Sequence, residues 1–277
     1  MSTNHSPQPL SQWLGFRATI VISALVLTFL MAPVLAIVPL SFNSGTFLTY
    51  PMPGFSMRWY ADFFTSDRWM LSVKNSMIVG IASTILSMIL GTLASLGLAQ
   101  WNSRLKPLVM GIVLSPMIVP AIITGVGVYF FFAPLGLTGN YLGLILAHTA
   151  LATPFVVITV SATLHGFDMN MARAAASLGA PPILAFRKVV LPLILPGVAS
   201  GALFAFATSF DEVVVALLLA GPEQRTLPRE MFSGIRENIS PTITAAAVVL
   251  TVFSVLMLAT MEALRRRGER LQGGGKD

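Results

Sequence analysis

Six stretches of this sequence are long, apolar and almost free of charge, and they restrict the fold more than any other feature. They run approximately from Thr19 to Leu40, Val73 to Ala99, Leu108 to Phe132, Tyr141 to Leu164, Leu193 to Ala220 and Ile243 to Ala263. A helix rises 1.5 Å per residue, so about 20 apolar residues cross the roughly 30 Å of bilayer hydrocarbon. Composition agrees: 55% of the 277 residues are apolar and only 10% are charged, against about 25% charged in an ordinary soluble domain. A mean hydropathy of +0.80 over this length exceeds what one core can bury, so lipid is the expected solvent. The fold class that follows is an all-α integral membrane protein with six transmembrane helices.

The basic residues assign sides. The N-terminal tail, the loop near Arg104 and Lys106, the loop with Arg173, Arg187 and Lys188, and the C-terminal tail together hold 11 of them. The alternate loops hold six: Arg58, Arg68, Lys74, Arg225, Arg229 and Arg236. The positive-inside rule then predicts a cytoplasmic tail over 1–18, a membrane domain over 19–263 and a basic cytoplasmic tail over 264–277. The first span exceeds a secretory signal core in length and no small-residue cleavage site follows it, so it reads as a retained helix. The formal charge of +6 reflects this topology, because the basic residues flank apolar runs instead of forming a patch interleaved with aromatics; no nucleic-acid partner is expected.

Chemistry-bearing motifs are scarce. There is no cysteine, and His5, His148 and His165 do not pair on one helix face. Neither an HExxH, a GxSxG nor a GxxxxGK[ST] pattern occurs. No catalytic residue, metal site or cofactor is expected, and any ATP hydrolysis would fall to a separate chain. Within the spans, Pro116, Pro120 and Pro154 remove backbone hydrogen bonds, which demands packing in a bundle or along a cavity. Gly197 and Gly201 form a small-xxx-small face for close helix approach. Ser240 and Pro241 read as the cap and first residue of the last helix. His148 reads as a hydrogen-bonded packing residue.

Between the fourth and fifth spans lies the longest connection on the basic side, GFDMNMARAAASLGAPPILAFRKVVLPLILPG from Gly166 to Gly197. Its pattern is a short alanine-rich helix over Met171 to Leu178, a turning glycine, Pro181 and Pro182, a basic stretch and a Leu-Pro pair. Alanines let a partner's backbone approach closely. The spacing of Ala174, Ala175, Gly179, Val189, Leu191 and Pro192 resembles the EAA motif of the permease subunits of bacterial ABC importers. Arg173 stands where that family has a glutamate. The segments Pro53 to Phe64, Leu114 to Phe132 and Ser209 to Ile243 resemble the spermidine and putrescine (polyamine) class of these permeases. The resemblance implies a type I ABC importer permease fold in a bacterial inner membrane, with 166–192 as the coupling-helix loop and Arg173, Ala174, Ala175, Gly179, Leu191 and Pro192 at the contact with an ATP-binding cassette ATPase dimer. It further implies a second homologous permease subunit, and a periplasmic or extracellular solute-binding protein that delivers a small cationic nitrogenous solute.

Asp211 and Glu212 are adjacent acids within the fifth apolar run, and intramembrane carboxylates are costly enough to point to function. Read as one helix, Ser200, Thr208, Asp211 and Glu212 fall near one stripe that would border the substrate path. The alternative is that the two acids pair with Arg225, Arg229 or Lys74, or orient the gate. The external segment from Gly221 to Ser240 mixes three glutamates with three arginines, which fits a salt-bridged surface or a docking face for the binding protein. Trp59 and Tyr60 read as interfacial anchors. Two other functions stand beside polyamine import: the same machinery carrying an amino acid or opine, and an ion-coupled secondary transporter, which also uses broken helices but has no need of the Gly179-to-Pro192 spacing.

Overall fold

A computed structural model of the chain describes residues 10–165, 170–237 and 240–273. Among them there is no strand, only one isolated antiparallel bridge between Asn43 and Phe55. The α-helices are α1 (Leu10–Leu40), α2 (Arg58–Thr65), α3 (Asp67–Gln100), α4 (Lys106–Ile118), α5 (Ala121–Phe132), α6 (Tyr141–His165), α7 (Asn170–Ser177), α8 (Pro182–Ala185), α9 (Leu191–Phe210), α10 (Val214–Leu219), α11 (Leu227–Glu237) and α12 (Pro241–Gly273). Five helical stretches are long and apolar enough to cross a membrane, and α4 with α5 makes a sixth if that bent pair counts as one span.

The chain divides into two compact units, Met1–Phe63 with Ile239–Val249 and Phe64–Asn238 with Leu250–Asp277. In the first unit, α1 is an apolar rod whose Phe16, Leu25 and Phe29 are exposed, as a surface solvated by lipid or another chain requires. The loop after α1 is tied by Trp59 Nε1–H donating to the Asn43 carbonyl at 2.7 Å and by a 2.7 Å hydrogen bond between the Tyr60 and Ser41 hydroxyls. Thr242, near the start of α12, donates its hydroxyl to Asp62 at 2.7 Å. The Ser240 hydroxyl accepts the Thr242 N–H at 3.2 Å, which is the capping arrangement that Ser240-Pro241 implied.

The second unit is built on α3, α6 and α9. The burial pattern of α3 is inverted relative to a soluble helix: Ser72, Ser76, Ser83, Ser87 and Ser95 are buried, whereas Ile78, Ile81, Ile85, Ile89 and Leu93 are exposed. Lipid tails are as apolar as isoleucine, so helices in a bilayer associate through small residues and hydroxyl hydrogen bonds. Around α6 this brings together Ala152, Val156, Val160, Ile194, Val198 and Ala205 in one buried cluster. The Gly197/Gly201 face packs on α6: a Cβ at Gly201 would stand 2.6 Å from Thr159 Oγ1 and 2.9 Å from Val156 Cα, so the approach requires glycine.

The third span is interrupted at Pro120, as its prolines implied: α4 and α5 meet at 106°, and Val119 and Pro120 adopt extended dihedrals there, as the steric restriction before a proline favours. One sequence expectation about span limits needs correction. The fifth does not run from Leu193 to Ala220. Helix begins at Pro182, passes through a π turn at Phe186–Val190 and ends at Phe210, and α10 is a separate short helix. The π turn precedes Pro192, whose ring would clash with the Lys188 carbonyl and which has no N–H to donate to it; a local bulge relieves both. The last helix also continues past Ala263 to Gly273, carrying the basic tail as far as that residue.

Candidate functional site

The break between α9 and α10 separates the two acids that sequence had placed on one helix stripe. Asp211 is exposed and forms the C-cap of α9, its N–H donating to the Ala207 carbonyl at 3.0 Å. Glu212 turns the other way. Its two carboxylate oxygens accept the N–H groups of Val215 and Ala216, each at 3.0 Å, and so satisfy the first turn of α10. A carboxylate there also complements the positive end of the helix dipole. Ser200 and Thr208, on α9, are half-buried.

Behind Glu212 runs a buried polar chain through the bundle. The Ser83 hydroxyl on α3 donates to Ser209 on α9 at 2.9 Å, and Ser209 Oγ lies 2.8 Å from His148 Nδ1 on α6. If Ser209 receives from Ser83 and donates onward, Nδ1 is the acceptor and the imidazole proton resides on Nε2. That nitrogen stands 3.9 Å from Glu212 Oε2, beyond hydrogen-bonding distance. His148 is wholly buried and ties three helices together at the point where α9 stops.

The two arginines named as alternative partners of the acids are engaged elsewhere. Arg225 contacts Glu230 at 3.4 Å, and Arg229 Nη1 donates to the carbonyls of Ala220 and Gly221 at 2.7 and 2.9 Å. Burial, and then the charge of Arg225, push the Arg229 guanidinium below its ordinary pKa. Among the described residues no ion pair joins Asp211 or Glu212 to Lys74, Arg225 or Arg229. In the segment after α10, the buried Glu230 thus pairs with Arg225 and with Arg68 of α3, while Arg229 is held by backbone carbonyls.

A residue that sequence reasoning missed organises this same end. Asn75 on α3 is fully buried, donates through Nδ2 to the carbonyls of Glu223 and Arg225 at 2.8 and 2.9 Å, and accepts the Tyr141 hydroxyl at 2.6 Å. Next to it the Ser76 hydroxyl accepts the Leu227 N–H at 2.7 Å. One turn of α3 thus holds the entry into α11. Its signal in the sequence was an asparagine inside an apolar run.

At the opposite end of α6 lies the loop that carried the family resemblance; residues 166–169 of it lie outside the described residues. Arg173, Ala174 and Ala175 are on α7, with Ala174 exposed and Ala175 half-buried. Gly179 follows at φ +82°, and the Ala180 N–H donates back to the Ala175 carbonyl at 3.1 Å, the six-to-one bond of a Schellman stop. Leu191 packs against the buried cluster around α6, and Pro192 is exposed. The structure therefore brings Ala174, Ala175 and Gly179 together at one largely exposed helix end and places Leu191 and Pro192 at the base of α9.

This architecture is that of an importer permease. Overall it is similar to a chain of a bacterial ABC transporter that imports the acidic polysaccharide alginate, with a TM-score of 0.72 at 16% identity, covering 93% of this chain and 96% of that one. It is also similar to a chain of the MetNI methionine ABC transporter, with a TM-score of 0.54 over 74% of this chain and 99% of that one, at 20% identity. Residues 83–270 match the family of inner-membrane components of binding-protein-dependent transport systems, and the chain belongs to that family. Among its relatives, the spermidine/putrescine transport system permease protein PotC of Escherichia coli K12 is 31% identical over 87% of this chain and 91% of its own length. The putrescine transport system permease protein PotI of the same strain is 33% identical over 89% and 88%. The molybdenum transport system permease protein ModB of Mycobacterium bovis is 34% identical over 69% and 74%. The protein is thus a permease subunit of an ABC importer, located in an inner membrane.

Proposed function

We propose that this subunit, with a second homologous permease, forms the pathway for a small cationic nitrogenous solute, a polyamine such as putrescine or spermidine. The observation that carries the solute class is the exposed Asp211 carboxylate at the break after α9, with half-buried Ser200 and Thr208 on the preceding helix. An ammonium group meeting a carboxylate at a partly dehydrated site gains more than in bulk water. The likeness to PotC and PotI supports the same solute.

In this reading both termini are cytoplasmic, as the distribution of basic residues favours. An ATP-binding cassette dimer docks on α7, around Arg173, Ala174, Ala175 and Gly179, and its closure is passed through Leu191 and Pro192 to α9. A solute-binding protein delivers the solute on the opposite side, near α11. ATP is hydrolysed on the partner subunits. Glu212 has a different part from Asp211: it holds α10 in place and keeps the helix break open.

The test is uptake of labelled putrescine into proteoliposomes containing the complete importer and its binding protein. Uptake should require ATP, persist when ion gradients are collapsed, and fall at least tenfold in Asp211→Asn with unchanged assembly. Uptake that follows the ion gradient, or an Asp211→Asn variant that transports normally, would overturn the reading.

A further inference from the structure

A cavity of about 130 Å³ opens where α3 and α6 end and α4 begins, away from the break after α9. Leu98, Met110 and Leu164 give it an apolar wall, and Lys106, Ser161 and His165 give it a polar edge. No carboxylate lines it, and among the described residues Lys106 has no ion-pair partner. His165 Nδ1 lies 2.7 Å from the Ser161 carbonyl oxygen. A carbonyl only accepts, so Nδ1 must donate, and Nε2 is left for another partner.

We propose that this cavity binds the phosphate of an anionic phospholipid drawn from the surrounding bilayer. Lysine is a point-charge binder of phosphate, and basic pockets between membrane helices on the cytoplasmic side are suited to anionic head groups. Size agrees: an engineered cavity of about 150 Å³ holds a benzene molecule, so this one admits a phosphate with part of its glycerol. Depth argues for a lipid over free phosphate. The long apolar stretches of α3 and α6 finish at Gln100 and His165, and α4 starts at Lys106, so the polar edge lies where hydrocarbon gives way to head groups. The Leu98, Met110 and Leu164 wall then continues toward the acyl region. His165 closes α6, and α7 starts at Asn170, so an occupied site braces the base of the loop that leads to α7.

Native mass spectrometry of the assembled importer, exchanged into mixtures of short-chain phosphatidylglycerol and phosphatidylcholine, reads the preference directly. The wild type should retain phosphatidylglycerol at least fivefold over phosphatidylcholine. Lys106→Gln with His165→Gln should reduce the ratio to about one, and Ala99→Trp, which puts an indole into the cavity from its lining and keeps both basic groups, should reduce it similarly. Lys74→Gln, near the other end of α3, should leave it unchanged. A preference that survives the double variant overturns the proposal. So does one that survives Ala99→Trp, since surface charge alone would then account for it. Displacement by inorganic phosphate as effective as that by phosphatidylglycerol would overturn the lipid source.

Discussion

Glu230, wholly buried on α11, meets Arg68 of α3 at 2.5 Å through one oxygen and Arg225 at 3.4 Å through the other. The two arginines are not equally sequestered from water: the Arg68 side chain is 57% exposed and that of Arg225 36%. The Arg68 contact is a charge contact without hydrogen-bond alignment. This asymmetry makes the cluster directional. Removing the acid frees two arginines that can reach water, whereas removing both arginines strands a buried carboxylate, the case that costs about 3–5 kcal/mol. Arg68→Ala with Arg225→Ala should therefore destabilise far more than Glu230→Gln, which should cost about 1 kcal/mol. Thermal melts of the purified subunit in detergent rank the two; equal losses would count against a buried charge.

Gly201 and Gly97 should respond in opposite directions. A side chain at Gly201 meets Val156 Cα and Thr159 Oγ1, while an added Cβ at Gly97 meets nothing within 4 Å. Gly201→Val should cost about 1–3 kcal/mol by overpacking. Gly97→Ala, inside α3, should stabilise by about 0.5–1 kcal/mol through lower chain entropy. Melting midpoints measured in parallel provide the check.

Gly179 separates strain from steric clash. Its φ of +82° disfavours any β-branched residue, yet the space around it is open. Gly179→Val should cost about 1–2 kcal/mol and leave insertion intact, while stimulated ATP hydrolysis becomes uncoupled from uptake. Gly179→Asn, which tolerates this conformation better, should recover coupling. Normal coupling in Gly179→Val would remove α7 from the transmission route.

Asp211 and Glu212 should divide between transport and stability. Glu212→Ala removes an acceptor from two backbone N–H groups and should cost about 1–2 kcal/mol, as loss of a helix cap does; Glu212→Gln should cost less. Asp211→Asn should leave the melting temperature unchanged and lower uptake. Melting and uptake measured on the same preparations distinguish this from a shared role for the two acids.

Particular elements show which features sequence could and could not reveal. The Ser240 cap, the Gly197/Gly201 face and the interruption by Pro120 were legible because each depends on residues close in the chain. The end of α9 was not. Val213 to Leu219 is as apolar as the helix before it, and an apolar run does not reveal that Glu212 will cap a new helix instead of continuing the old one. The serine stripe of α3 was present in the spacing but hidden by the isoleucines between, since hydropathy registers the lipid-facing side chains most strongly. Asn75 stands out as an asparagine inside an apolar run, but its role was beyond reach, because its partners lie 66, 148 and 150 residues away.

The apolar runs alone settle that this chain lives in lipid and is helical, because removing 20-residue apolar runs from water and closing their backbone hydrogen bonds within one segment depend on no other part of the molecule. The spacing around Gly179 likewise marks the family before any packing is known. Only packing settles which acid is exposed and which caps a helix, why His148 sits against Ser209, and where Arg68 finds its carboxylate. A buried polar group must be satisfied by whatever lies within about 3 Å, and that neighbour is chosen by the way distant helices meet.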